Sequence, residues 1–517
     1  MMVKNEEKLL PRCLESIKNH VDEIVIVDTG STDDTVTIAE SFGAKIHRHP
    51  WERHFSRHRN QSLDYATGDW LMIIDADEEL LPLGDLSLHQ ALQTGEDIDS
   101  VMISVECSSP TGIIQANSVR FFRNHRGFHY QGRVHNYLVG IRKSLFLDGV
   151  RFFHHGYNLG RDMDERKFKR TTELLKLDIL DNPQNPRPHH FLSTSYMSQK
   201  MYALASESAE RAIHLFEKTK LVPHNYLWSL YIAAASCHAL GEDEKAEALA
   251  YKAIVFFPEH LDSHFVLCSI YMKKDNRVLF EKHRDAYLTI HGAVQANPSK
   301  SGEMVHNSLP VEWFVHLWAG VMALMADKTS EADEHFQLSR KGAGSDIRFF
   351  RELARIFKSK GRGSDAENAE LNLAICLLET GEYEGAGDIA QNIIGRSSVP
   401  PVAALRVSGL AHYHMGNLTA AITAFEKMIE FDPDQVEPYA HIAKMAVDNM
   451  DFEACIAACD QLLRILGLDR NVVLNSLTEL GGQFFGIAEA LVETSELGPA
   501  RLCVETGRSL VRMRASV

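Results

Sequence analysis

Hydrophobic and polar positions follow two different rhythms along this chain. In the first third, short apolar runs alternate with amphipathic stretches, which predicts an α/β domain up to about residue 157. The runs EIVIVD (23 to 28) and DWLMIID (69 to 75) are nearly continuous and end in aspartate. They are expected to be buried parallel strands whose C-terminal ends open onto a site. SVMISVE (100 to 106) and SVRFFR (118 to 123) read as further strands. In TDDTVTIAESFGA, Thr32 or Asp33 is placed to cap a helix and Gly43 to end it. From about Arg161 the strand signals stop and Ala, Leu and Glu at helical spacing take over, beginning with a predicted helix over 164 to 180. The expected organisation is an α/β domain over 1–160, a helical linker over 161–185 and a helical array over 186–517.

The helical part repeats itself. One segment places Leu230, Ala234, Gly241, Ala246, Ala253 and Pro258 where another places Leu405, Gly409, Gly416, Ala421, Phe425 and Pro433. Each supplies a small residue where two helices touch, a glycine at the turn, a second small residue on the returning helix and a closing proline. Weaker copies surround Ala205 and Ala212, Gly320 and Phe336, and Ala374, Gly381 and Ala386. This resembles the TPR pattern, which implies five or six helix pairs stacked into a superhelix that receives a peptide or protein. The alternative is a purely structural scaffold or a surface pairing two copies as a homodimer.

With 45% hydrophobic and 24% charged residues among 517, the chain has globular composition. A formal charge of -16 disfavours nucleic acid as a partner. Neither a secretory leader nor an apolar run of about 18 residues is read in the sequence, so a soluble, cytoplasmic protein without a transmembrane segment is expected. The eight cysteines form no CxxC pair, which fits reduced thiols.

Two short segments carry the chemistry. The first strand ends in Asp28 and turns through Thr29, Gly30 and Ser31, offering a carboxylate, hydroxyls and backbone N–H groups able to read a base or hold a ribose. The second ends in Asp75-Ala76-Asp77, where unpaired carboxylates are costly without a cation or hydrogen-bond donors. A divalent Mn or Mg ion takes hard oxygen ligands and can bridge such carboxylates to a diphosphate. Read without context, the first motif is only a turn cap and the second a helix-capping acidic cluster.

Taken in order, MVKNEEKLLPRCLESI, VDEIVIVDTGSTDDT (21 to 35), FSRHRNQSL (55 to 63) and TGDWLMIIDADEEL (67 to 80) closely resemble glycosyltransferase family 2, in particular a bacterial subgroup continuing into TPR repeats. The resemblance implies a GT-A fold with a Rossmann-like mixed sheet, an inverting transfer from a nucleotide-sugar, a UDP-sugar by analogy, and a divalent metal. It implies a nucleobase at Asp28–Ser31, metal on Asp77, ribose or metal shell on Asp75, and Arg59 with Asn60 near the donor. GRVHNYL (132 to 138) and FFHHGYN (152 to 158) are similar to the downstream motifs, with His154 as the matching metal or diphosphate contact, His155 in reserve and Gly156 allowing close backbone approach. A glutamate usually follows the histidine of the first segment; here it is Asn136, and an amide takes no proton at neutral pH. His135, Glu78 or Glu79 is then expected as the base. The family's first strand also precedes the MVKNEE segment by several residues, so either a shortened first strand or a start placed too late is expected. The acceptor is expected to be a protein, peptide or cell-envelope glycan; the rival is a degenerate transferase domain serving as a repeat scaffold.

Overall fold

The computed structural model describes residues 1–81, 87–109, 112–155, 161–219, 224–296, 306–468 and 476–514. It divides into two compact units, Met1–Asp333 and Glu334–Val517.

The first unit opens with a parallel sheet of β1 (Met2–Val3), β2 (Val25–Asp28) and β3 (Lys45–Arg48), in that order. The connections run through α1 (Leu10–Ile17) and α2 (Thr35–Ser41), since parallel strands need a crossover. The predicted helix ends are nearly right: Asp33 Oδ1 accepts the Thr35 N–H at 3.1 Å, and Gly43 closes the helix at φ +73. β1 is two residues long and its sheet partner is β2. After α3 (Phe55–Tyr65) come β4 (Trp70–Met72), β5 (Glu78–Leu80), the short α4 (Leu88–Ala91), β6 (Ser100–Ser109) and β7 (Gly112–Arg123). β8 (His129–Gln131) and β9 (Tyr137–Val139) form a hairpin, and β10 (Ser144–His154) completes a second sheet ordered β4-β7-β6-β10-β5.

One strand expectation is corrected here. β2 is parallel to both neighbours, but β4 is short and pairs antiparallel with β7, Leu71 opposite Phe122. Its apolar run is explained by burial between layers rather than by parallel pairing. Val3, Leu14, Ile26, Ile74, Phe121 and Phe152 meet in one buried cluster, so both sheets and α1 share a core.

The rest of the chain is helical among the described residues. α5 (Arg161–Asp181), α6 (Pro186–Ser198), α7 (Tyr202–Thr219), α8 (His224–Ala239), α9 (Asp243–Phe256), α10 (Leu261–Lys273), α11 (Arg277–Ala296) and α12 (Glu312–Leu324) lie in the first unit. α13 (Thr329–Ala343) straddles the division, so the weak repeat around Gly320 and Phe336 does too. The second unit continues with α14 (Asp346–Ser359), α15 (Gly363–Glu379), α16 (Tyr383–Arg396), α17 (Val402–His414), α18 (Leu418–Phe431), α19 (Val436–Asp448), α20 (Phe452–Ile465), α21 (Leu477–Glu493) and α22 (Leu497–Arg514).

The repeat glycines sit where left-handed backbone is required. Gly241, Gly381 and Gly416 have φ of +85, +85 and +79. In each turn the next N–H reaches back to the carbonyl five residues earlier, Glu242 to Cys237 at 2.9 Å, Glu382 to Leu377 at 2.8 Å and Asn417 to His412 at 2.9 Å. Gly409 is small because a Cβ there would lie 2.7 Å from the Phe425 ring. The same turn recurs on Lys200, Asp275, Met450 and Ser495, at φ of +56, +53, +58 and +67. Helix hairpins are therefore more frequent than the five or six read from the sequence: α6/α7, α8/α9 and α10/α11 in the first unit, and α14/α15, α17/α18, α19/α20 and α21/α22 in the second. No helix among the described residues is long and apolar enough to cross a membrane.

Candidate active site

The turn after β2 is built largely from its own groups. The Ser31 N–H donates to Asp28 Oδ1 at 3.0 Å and the Gly30 N–H to Oδ2 at 3.3 Å, so the buried Asp28 carboxylate closes the turn. Gly30 stands at φ +103, which an L side chain rarely adopts. The Thr29 hydroxyl donates to the Val3 carbonyl at 3.0 Å, which leaves its oxygen able to accept but not its proton free to donate. Ser31 Oγ accepts the Asn5 N–H at 3.0 Å, and the Thr32 N–H donates to Asn5 Oδ1 at 2.8 Å. Two loops at the C-terminal edge of the parallel sheet are thus stitched into one rim.

Behind that rim lies the Asp75–Asp77 turn. Arg59, carried by α3, donates through Nη2 to both Asp75 oxygens at 2.7 and 3.0 Å. Burial would raise the Asp75 pKa, but the Arg59 guanidinium, helped by Arg120, outweighs it and holds the carboxyl below its ordinary value. Asn60 ties α3 to β8 by a reciprocal pair, Nδ2 to the Tyr130 carbonyl at 3.0 Å and the Tyr130 N–H to Oδ1 at 2.7 Å. Arg59 is therefore fixed on both flanks, its guanidinium 5.5 Å from the Tyr130 ring centre.

Glu78 is only 2% exposed, accepts the Asp75 N–H at 2.9 Å through Oε2, and meets Arg120 Nη2 at 2.5 Å through Oε1. With both oxygens engaged and solvent excluded, it supports the turn from behind. To act as the expected base it would have to give up one of these two bonds. Burial raises its pKa despite Arg120, and Asp75 adds to the rise.

β10 runs antiparallel to β5 with His154 opposite Glu78. This register delivers His154 Nε2 to 3.2 Å from Asp77 Oδ2, and His155 Nε2 to 2.8 Å from Glu79 Oε2. Burial works against the His154 imidazolium, but the hydrogen bond and charge of Asp77 raise its pKa on balance. Gly156 lies outside the described residues. His135 stands elsewhere: its ring stacks on Phe191 of α6 at 4.2 Å and 10° between planes, and burial, with Lys167 and Arg187 nearby, lowers it to about 4. A group so reluctant to take a proton is a weak base for a hydroxyl. Beside it, Arg187 lies 3.9 Å from the Tyr137 ring centre.

Sequence reasoning missed Glu6 as an individual. Its carboxyl, on the rim after β1, is lifted to about 7 by burial and then by Asp77, Asp33 and Asp75, with Arg170 of α5 pulling it back. Only its place inside the first motif hinted at it.

No group of three or more His, Cys, Asp and Glu able to hold a metal occurs among the described residues. Asp77 and His154 are engaged with each other at 3.2 Å, so a divalent cation between them would have to displace the proton they share.

Residues 1–160 match the family model for glycosyl transferase family 2. The N-terminal domain belongs to that family. Among curated proteins, the chain is 31% identical over 195 residues to a TPR repeat-containing protein of Synechococcus elongatus, covering 36% of this chain and 48% of that one. It is 31% identical over 194 residues to the SPbeta prophage-derived glycosyltransferase SunS of Bacillus subtilis, covering 36% and 46%. An uncharacterized glycosyltransferase of Rickettsia felis is 44% identical over 80 residues, covering 16% and 28%. The matches span about half the length of the first two relatives. Yeast Tom70 is a solved structure with 14% identity and a TM-score of 0.29, covering 64% of this chain and 60% of its own, a likeness too slight to carry an argument.

Proposed function

We propose that the chain is an inverting glycosyltransferase that moves a sugar from a nucleotide-sugar, a UDP-sugar by family analogy, to a protein, peptide or cell-envelope glycan acceptor. The observation that supports this reading is that Glu6, on the rim, feels Asp77, Asp33 and Asp75 together, while Arg59 holds Asp75 and His154 meets Asp77. A divalent cation held by Asp77 and His154 would neutralise charge building on the departing diphosphate. Arg59 keeps Asp75 ionised and in place, and Asp28, by accepting the Gly30 and Ser31 N–H groups, would hold the turn against which base and ribose rest. The stacked helix hairpins would bind the acceptor. A second reading, a degenerate transferase domain carrying a repeat scaffold, is favoured by Asn136 and by the weakly basic His135 beside it.

The test is calorimetric titration of a UDP-sugar panel into the full chain with Mn, beside a metal-free control and an Asp77→Ala variant. Saturable, Mn-dependent binding that Asp77→Ala abolishes supports the transferase. Absence of donor binding by folded wild-type chain moves the conclusion to the scaffold.

A further inference from the structure

The α8–α9 turn carries chemistry that the packing of a helix hairpin does not call for. His238, in the last turn of α8, and Asp243, the first residue of α9, flank Gly241, and the left-handed turn folds them together with Nδ1 2.6 Å from Asp243 Oδ1. The glycine turns at Gly381 and Gly416 have Leu378 with Tyr383 and Tyr413 with Leu418 in these two places, three residues before and two after the glycine. The hairpin therefore forms without a His-Asp pair. On the other side of the ring, Ser269 of α10 places Oγ 2.8 Å from His238 Nε2.

The carboxylate end of this trio fixes its protons. Burial would raise the Asp243 pKa, but hydrogen bonds from Lys273, at 2.6 Å to the other oxygen, and from His238 outweigh it and hold the carboxyl below its ordinary value. An ionised carboxylate only accepts, so the imidazole proton sits on Nδ1 and Nε2 accepts from the serine hydroxyl. Other helical serines bond back to their own helix, Ser193 to the His190 carbonyl at 2.6 Å and Ser229 to the Asn225 carbonyl at 2.7 Å. Among the described residues the Ser269 hydroxyl meets His238 alone. The His238 and Asp243 side chains are 20% and 11% exposed and Ser269 is half-buried, so the trio is reachable from solvent while its carboxylate is shielded.

We propose that Ser269, His238 and Asp243 form a second catalytic centre, outside the α/β domain, that cleaves carboxylic esters through an acyl-serine. Ser269 Oγ bonds to the ester carbonyl carbon as its proton passes to His238 Nε2, the bond from that carbon to the alcohol oxygen breaks, and the departing oxygen takes the proton from His238. Water then gives a proton to Nε2 and bonds to the acyl carbon, and the acid leaves as that proton returns to Ser269 Oγ. Asp243 is the positioning residue: it holds the ring and faces the imidazolium, which forms in the last turn of α8, where helix carbonyls favour a cation. Ser269 is within α10 and the N–H groups around it belong to the helix ladder, so activated esters rather than amides are the substrate class.

The experiment follows p-nitrophenyl acetate cleavage by the wild-type full chain and locates the acetyl group by peptide mass spectrometry. A burst of nitrophenolate and an acetyl group on Ser269 are expected. Ser269→Ala, which suits a helix interior, and His238→Gln should each lower the burst rate about tenfold or more with an unchanged circular dichroism spectrum. Ser269→Cys, which keeps a nucleophile, should still take the acetyl group. Asp243→Asn should slow the burst and Asp243→Glu should recover part of it. An acetyl group found only on other residues, or a Ser269→Ala burst rate within about twofold of wild type, overturns the proposal.

Discussion

Replacing Arg120 with Met should destabilise the first unit more than any exposed substitution, because it leaves Glu78 buried beside two other carboxylates. Glu78 is 2% exposed and the Arg120 side chain 13%, and the two meet at 2.5 Å. Breaking such a pair by removing one partner costs about 3–5 kcal/mol. The unit spans Met1–Asp333, and at about 2.1 cal/mol/K per residue its unfolding entropy is about 0.7 kcal/mol/K. The expected fall in its melting temperature is therefore about 4–7 °C, followed by circular dichroism. The pH dependence has a definite sign. Glu78 already has a raised pKa in the folded protein, from burial first, and loss of Arg120 raises it further. A carboxyl with a raised folded pKa prefers to fold protonated, so its contribution fades as pH climbs from the ordinary glutamate value through the folded one. The variant's deficit against wild type should thus be larger at pH 8 than at pH 5. Glu78→Gln/Arg120→Met, which removes the charge and keeps an acceptor for the Asp75 N–H, should recover most of the loss. A deficit below 1 °C, a deficit that grows toward pH 5, or a double variant no better than Arg120→Met refutes the reasoning.

Two further outcomes follow from packing. Gly409→Ala should destabilise the second unit by about 1–3 kcal/mol in urea unfolding, since the new Cβ would sit 2.7 Å from the Phe425 ring and the helix pair must part; an unchanged midpoint would show that the α17/α18 contact is looser than described. Of the eight thiols, Cys107 and Cys376 should react first with an aromatic disulfide reagent in the folded chain, slowed by burial that raises both pKa values, while the six buried ones wait for unfolding; equal rates for all eight contradict the burial.

Local signals were legible where a residue's chemistry forced its backbone. Gly241, Gly381 and Gly416 announce left-handed turns, and the small residues beside them announce helix contact. Lys200, Asp275, Met450 and Ser495 make the same turn without a glycine, so tertiary packing imposes a conformation that costs roughly 1–2 kcal/mol and leaves no mark in composition. That is why α10/α11, α19/α20 and α21/α22, which turn on Asp275, Met450 and Ser495, leave no glycine signal. At the site, Asp75, Asp77 and Arg59 could be named from their motifs. The pairing of His154 with Asp77 depends on the β10–β5 register, and the burial of Glu78 depends on Arg120 arriving from β7. Strand register and pairing are long-range outcomes, and a local apolar run reports burial without reporting the direction of its partner. The antiparallel β4 is the example.

The segment bearing His135 also grips the helices that follow it: Arg133 holds Asp178 and Asp181, His135 lies on Phe191 and Arg187 on Tyr137. Thermodynamic reciprocity then applies across this seam. If a ligand on the first unit's helices shifted α5 and α6 and so changed the affinity of the proposed donor, the donor would have to change that ligand's affinity by the same factor. Acceptor choice and donor occupancy would be read as one coupled equilibrium.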